Sequence, residues 1–459
     1  MSQRLVDGDI FQRKWITDKA YISGLAGVGM LLILACFYHS YHVFETGIFI
    51  GVPIQGRTAT TAFALLTISL TMVLVELLRL WHYDKAEFIR YSPLWLKGHY
   101  FQLILAAGKK YLLNLLLLII AGSYYYCINE YGFNTQATYY QPWFQLFKIL
   151  CWLYLFLGFP YQLITLAFKH HTKMDTADLL AKAVVLLSLN ACGKASGNAR
   201  FSLANKKIVL SYLVKLFFAP IMTVFFFDNF YHLVSNINYI QTGLITEIVA
   251  GNYSHQKLNR DLTNIVPTII FSIDVSIAWC GYIVSSRWLD NHTVSADPTL
   301  FGWAVCLLSY PPFRTIPGWF FSTPDEKMYL QLPDQTLVTV LAVLMMISYF
   351  LYMLPTIFFG VRFSNLTNRG IIRTGPFAYV RHPAYAAKNI AWWCVGLPVA
   401  IYSGLNYGFV SMLLMLIGLV FMSAIYYLRA ITEEKHLAID PYYQAYCKEV
   451  RYRFIPHLI

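Results

Sequence analysis

Residues 336–360 read TLVTVLAVLMMISYFLYMLPTIFFG, a run without a single Asp, Glu, Lys, Arg or His. At about 1.5 Å of rise per residue, a helix of this length crosses the roughly 30 Å hydrocarbon core of a bilayer. Its apolar residues do not alternate with polar ones, so it is not a barrel strand. With no water to pair its backbone, it has to be a helix. Similar runs lie near 21–44, 59–80, 103–127, 144–168, 208–227, 263–285, 299–321, 387–403 and 406–428. The expected fold is therefore an all-α, polytopic integral membrane protein with about ten transmembrane helices. Composition agrees: 58% of residues are hydrophobic and 13% charged, against about 45–50% and about 25% for a soluble domain.

The weakest of these runs is 299–321, where Pro311, Pro312, Arg314 and Pro317 predict a kinked, broken or partly re-entrant segment. Lys and Arg cluster over Arg4–Lys19, Lys85–Lys110, Lys169–Lys207, Arg362–Lys388 and Arg429–Arg453. Ten crossings with the N-terminus inside put all five clusters on the cytoplasmic side, and deleting the seventh would put the last two outside. Both termini are then expected in the cytoplasm. The apolar stretch 178–190 is short and reads as an interfacial helix, whereas 228–262 reads as a polar outside segment.

The net charge of +12 is scattered over juxtamembrane loops and forms no single stripe. That argues against nucleic acid and for anionic lipid headgroups as partners. No signal-peptide cleavage pattern follows the first apolar run. The eight cysteines include no C-x-x-C pair, so neither a structural disulfide nor a zinc site is expected.

Composition changes near residue 361, which divides the chain into a region of about eight helices (1–360) and a C-terminal module (361–459). The module begins RGIIRTGPFAYVRHPAYAAKNIAWW at Arg369, turns in a hairpin at Ser403 to Asn406, and ends YYLRAITEEKHLAIDPYYQAYCKEVRYRFIPHLI from Tyr426. Arg381-His382-Pro383 opens a helix with proline at an early position, and the free N–H groups of such a helix start suit an anion. A positive-inside anchor explains the same residues equally well. Arg429, Glu433 and His436 share one helix face, with Glu434 beside them. Two adjacent carboxylates at an inner helix end suit a ligand with hydroxyl donors or positive charge, and an arginine suits an acidic acceptor.

GPFAYVRHPAY (375–385), followed across a two-span hairpin by RAITEEKHL (429–437) and YYQAYCKEVRYRFIP (442–456), resembles the isoprenylcysteine carboxyl methyltransferase and phospholipid methyltransferase superfamily. The resemblance covers about the last ninety residues. It implies an S-adenosylmethionine-dependent methyltransferase with a cytoplasm-facing site and a lipid or prenylated acceptor that arrives from the bilayer. Matched by motif position, the cofactor pocket would comprise Arg369, Ile371, Ile372, Phe377, His382, Pro383, Ala384, Tyr385 and Glu433, with Arg381 among them. Arg429 would face a carboxylate acceptor, and Glu434 would serve an amine acceptor as general base. Phe377 stands where the family commonly has tyrosine, and Arg369 where histidine or another polar residue is expected.

The ending, with Tyr446-Cys447-Lys448 and Tyr452-Arg453-Phe454-Ile455-Pro456, also resembles the sterol reductases and lamin B receptor. That implies NADPH and reduction of a sterol-type or polyprenyl double bond. Pro383 and the Glu433-Glu434 pair depart from the reductase motif and favour the methyltransferase. A scaffold or transporter without turnover is the reading from a different class. Three further groups stand out: Asp274 inside the sixth span, His39, His42 and Glu45 on one face of the first, and the loop Arg287–His292. An intramembrane carboxylate needs a partner or a cavity. The histidine pair reads more readily as interfacial than as metal-ligating, and the loop as either a cover over the site or an interfacial anchor.

Overall fold

A computed structural model describes residues 16–46, 48–49, 52–53, 56–83, 85, 91–133, 139–168, 203–251, 253–320 and 326–458. The long apolar runs are helices: α1 (Tyr21–Ser40), α2 (Arg57–Tyr83), α3 (Tyr100–Cys127), α4 (Gln141–Phe168), α5 (Leu203–Tyr239) and α6 (His255–Ile283). They are followed by the short α7 (Leu300–Leu307), then α8 (Gln335–Phe359), α9 (Pro383–Tyr407), α10 (Phe409–Leu437) and α11 (Pro441–Glu449). Among the described residues, eight helices are long and apolar enough to cross a membrane. These are α1 to α6, α8 and α10; α9 is as long, but is diluted by Tyr, Trp, Asn and Lys388. The interfacial helix expected at 178–190 lies outside the described residues, as do most of the basic stretches Arg4–Lys19 and Lys169–Lys207.

Helix ends follow local chemistry. Ser254 caps α6 by accepting from the Lys257 N–H, and Asp334 caps α8 by accepting from the N–H groups of Thr336 and Leu337. The α9–α10 hairpin turns at Gly408, whose φ of 96° suits glycine. This is later than the expected Ser403 to Asn406. α5 overruns its apolar run and continues through a π-helical turn (Ile240–Leu244) into a helix ending at Val249. Much of the expected polar segment 228–262 is thus helical. Hydropathy marks where a chain leaves the apolar layer, whereas a helix that pairs its own backbone continues into water.

The expected seventh span, 299–321, is not one helix. α7 has only eight residues, a turn holds Pro311 and Pro312, and a short helix follows at Thr315–Phe320. The connection nonetheless runs from one end of the bundle to the other. Near one end, Asn259 on α6 bonds Gln335 and Thr339 on α8. Further along, Asp274 accepts from Tyr352 and Thr356. α6 and α8 therefore run parallel, so the chain between them returns across the bundle. Prolines without N–H groups break the return into pieces: α7 lies on α10 and Glu326–Tyr329 on α9, while Phe313, Arg314 and Thr315 between them are exposed.

α5, α6, α8, α9 and α10 form a continuous packed row, with α1 and α2 flanking it. The α3–α4 hairpin is peripheral and exposes most of its apolar surface. The core is rich in aromatics, among them Phe218, Phe226, Phe230, Trp279 and Tyr282. At the end of the bundle where α6, α8 and α10 finish, the chain carries its densest polar structure.

Candidate active site

The segment from α8 to α9 builds one wall of a cleft. Thr367–Asn368 pairs antiparallel with Ser295–Ala296. The Asn368 side chain donates to Asp440 Oδ2 at 2.6 Å and accepts from the Gly370 N–H at 2.8 Å. Gly375 lets the chain turn here: its φ is 62°, and a Cβ would fall 2.3 Å from the ring of Phe358. The turn delivers Phe377 to the cleft, where its carbonyl accepts from Tyr446 Oη on α11 at 2.7 Å. Arg381 and His382 then donate their N–H groups to the carbonyls of Tyr452 and Arg453, at 2.9 and 2.8 Å. The C-terminal segment thereby docks against the start of α9, which opens with Pro383 as expected.

α10 builds the opposite wall. Tyr385 Oη donates to Glu433 Oε2 at 2.8 Å, and His382 Nδ1 lies 3.8 Å from the same oxygen. The rings of His382 and Tyr385 stack at 5.3 Å. Glu434 turns the other way: Arg453 Nε donates to Oε2 at 2.9 Å, and Arg381 Nε and His382 Nε2 lie 3.2 and 3.3 Å from Oε1. His436 Nε2 pairs with Ser295 Oγ at 2.9 Å, which ties α10 to the short sheet.

One turn deeper, Arg429 is only 5% exposed. Its guanidinium lies over the rings of Tyr426, Tyr385 and Tyr310 at 4.9, 5.1 and 5.8 Å. Nη2 donates to Asn365 Oδ1 at 3.4 Å, and Asn365 Nδ2 in turn donates to Tyr310 Oη at 2.9 Å. Among the described residues, no carboxylate lies within ion-pair distance of Arg429.

The enclosed space of the cleft is about 90 Å³, below the roughly 300–1,000 Å³ common for ligand pockets, so a cofactor-sized ligand would have to widen it. Of the residues expected at the cofactor site, Arg369, Ile371, Ile372, Phe377, Arg381, His382, Tyr385 and Glu433 line it, and so does Arg429. Pro383, Ala384 and Glu434 do not. Pro383 and Ala384 form the first turn of α9 beneath the lining, and both oxygens of Glu434 are held by cations, which leaves no lone general base. Arg369 is buried and donates to the Gly281 carbonyl. Burial pulls its guanidinium down to about 10, so it stays charged at neutral pH.

Asp297, Gly302, Cys306, Asn365 and Asn368 also line the cleft and escape the sequence reading. The first three belong to the broken crossing. One signal was available: Asp297-Pro298-Thr299 before an apolar run is a helix-start pattern. Asp297 Oδ1 accepts from the Thr299 N–H at 2.8 Å, and Thr299 Oγ1 from the Gly302 N–H at 3.1 Å.

The other singled-out groups lie elsewhere. Asp274 is satisfied by Tyr352 and Thr356 on α8, as a structural intramembrane carboxylate should be. His39 pairs with Gln241 at 2.7 Å and His42 with Glu45 at 3.5 Å. Among the described residues, no group of His, Cys, Asp and Glu is arranged to hold a metal. In the loop Arg287–His292, Asp290 and His292 are exposed while Leu289 and Asn291 are buried: Asn291 Nδ2 donates to the carbonyls of Val284 and Val361, both at 3.0 Å, and Trp288 Nε1 to Thr165 Oγ1 at 3.0 Å.

Residues 332–450 match the model of a family of proteins of unknown function, DUF1295. The match runs from the start of α8 to the end of α11 and takes in every cleft residue named above except Asp297, Gly302 and Cys306. No curated protein and no solved structure matches the chain.

Proposed function

We propose that the protein is an S-adenosylmethionine-dependent methyltransferase acting on a carboxylate-bearing acceptor dissolved in or anchored to the membrane. The observation that carries this reading is Arg429, a guanidinium buried within a long apolar helix, open to the cleft and without a carboxylate partner among the described residues. A buried charge is costly unless paired, and a planar guanidinium matches a carboxylate bidentately.

The donor set of the cleft fits this cofactor better than a phosphate-rich dinucleotide. Arg362 is paired with Glu76 and Asp290, Arg381 with Glu434, and Arg369 with the Gly281 carbonyl. A cofactor carrying several phosphates would need cations that these partners already occupy. Glu433 Oε1, by contrast, makes no protein hydrogen bond among the described residues. It is suited to hydroxyl donors or a cationic group.

When bound, S-adenosylmethionine supplies an electrophilic methyl group on a sulfonium sulfur. Ile371, Ile372 and Phe377 would cover its apolar face and exclude water, and Glu433, oriented by Tyr385, would accept from its hydroxyl or amino groups. Arg429 would hold the acceptor carboxylate in line with the methyl carbon. An ionised carboxylate is already a nucleophile, so the reaction needs alignment rather than a base. The occupied state of Glu434 is compatible with such chemistry.

Equilibrium binding to purified protein in detergent tests this reading. Radiolabelled S-adenosylmethionine should bind and be displaced by its demethylated product, while NADPH should not compete. Saturable binding of NADPH alone would replace the methyltransferase with the reductase.

A further inference from the structure

Gly370, Ile371 and Ile372 line the cleft, and they and the next two residues, Arg373 and Thr374, are gripped by residues from the opposite end of the chain. The turn Ile16–Lys19, just ahead of α1, brings Thr17 and Asp18 onto them. Thr17 Oγ1 donates to the Ile371 carbonyl. Asp18 Oδ2 pairs with Arg373 Nη2 at 2.9 Å, Asp18 Oδ1 accepts from the Arg373 N–H at 3.3 Å, and the Asp18 carbonyl accepts from Thr374 Oγ1 at 2.8 Å. From the far side, Glu449 at the end of α11 takes Arg373 Nη1 at 3.1 Å. Gly370, with φ of 110°, admits Thr17 so closely that a Cβ would lie 2.8 Å from its methyl group.

We infer that Asp18 is a positioning residue for the cofactor: acting through Arg373, it holds residues 370–374 in the shape that presents Ile371 and Ile372 to the cleft. Both side chains of the pair are about four-fifths shielded, at 19% and 20% exposure, so solvent screens them less than an ordinary surface pair. Three separate hydrogen bonds converge on consecutive residues, which defines a backbone shape rather than merely adding stability. Asp18 lies outside the stretch 332–450 that matches the family model, so this support is supplied by another part of the chain.

The inference rests on the proposed use of the cleft for S-adenosylmethionine, and two readouts keep the two ideas separable. In hydrogen–deuterium exchange on the full chain in detergent, Asp18→Asn should speed exchange across 369–375 severalfold and leave the transmembrane helices unchanged. Asp18→Glu should restore most of the protection. In methyl-transfer assays, Asp18→Asn should raise the KM for S-adenosylmethionine about tenfold, with kcat and the acceptor KM within about twofold. Unchanged exchange in Asp18→Asn, or faster exchange throughout the chain, would overturn the inference. If the wild-type protein transfers no methyl group, the function fails, while the exchange data still decide the role of Asp18.

Discussion

At the scale of single residues, the proposed methyl transfer gives Arg429 and Glu433 separate tasks, and their variants should fail differently. Arg429→Lys keeps the charge but loses the planar two-pronged donor array. S-adenosylmethionine affinity should be retained while turnover falls by roughly ten- to a thousandfold, for a loss on the order of 1.4–4 kcal/mol of transition-state stabilisation. Near-normal turnover in the same assay would make Arg429 only an anchor among its three tyrosine rings. Glu433→Gln should instead weaken cofactor binding, by about tenfold for a charge-assisted hydrogen bond worth about 1.5 kcal/mol. The melting temperature should hardly move, because this side chain is 41% exposed. Titration with labelled cofactor reads the affinity, and an unchanged value would remove Glu433 from the cofactor's contacts. The common face of Arg429, Glu433 and His436 was legible in the sequence because helix periodicity alone dictates it. That Glu434 turns towards Arg381 and Arg453 was not, because adjacent residues on a helix point about 100° apart and only tertiary packing decides what each one meets.

At the scale of elements, the site loop is held to the bundle by charges buried at the end of α2. Glu76 is fully buried; Arg79 grips it through two hydrogen bonds of 2.6 and 2.9 Å, and Arg362 lies 3.6 Å away at the entry to the loop. Removing the buried carboxylate takes away the charge that Arg79 grips and leaves Arg362 with only the half-exposed Asp290, so Glu76→Gln should destabilise the protein by about 3–5 kcal/mol. Unfolding in a denaturing-detergent titration measures this, and a loss below about 1 kcal/mol would show that water reaches the group. Nothing in the sequence linked Glu76 to Arg362, since long-range ion pairs leave no periodic trace. The long helices were legible from apolar length alone. The broken crossing between α6 and α8 was visible only as a cluster of prolines, because proline marks where a helix cannot continue but not how the pieces are placed.

At the scale of the whole molecule, the parallel course of α6 and α8 and the hairpin of α9 and α10 gather the cleft at one end of the bundle. We propose, from the positive-inside pattern, that this end is the cytoplasmic one. Cysteines engineered at Ile439 and Asp440 should therefore react with impermeant reagents only after the cytoplasmic face is opened, and one at Ile245, in the helix that continues α5 beyond its π-helical turn, should react from outside. A labelling pattern of the opposite sense would separate the cleft from the cytosolic cofactor pool. The match over 332–450 overlaps the part of the chain whose motifs the sequence made readable, 361–459, but stops short of Tyr452–Pro456. The contributions of Asp18, Glu76 and Asp297 come from outside it and became visible only with the fold. The central claim is methyl transfer to a membrane acceptor, and the most direct measurement is incubation of purified protein with methyl-tritiated S-adenosylmethionine and a membrane lipid extract. Label should enter a lipid-phase species as a base-labile methyl ester, and Arg429→Lys should reduce its rate of formation. No label in the lipid phase at saturating cofactor, with protein shown to be folded, would contradict the account.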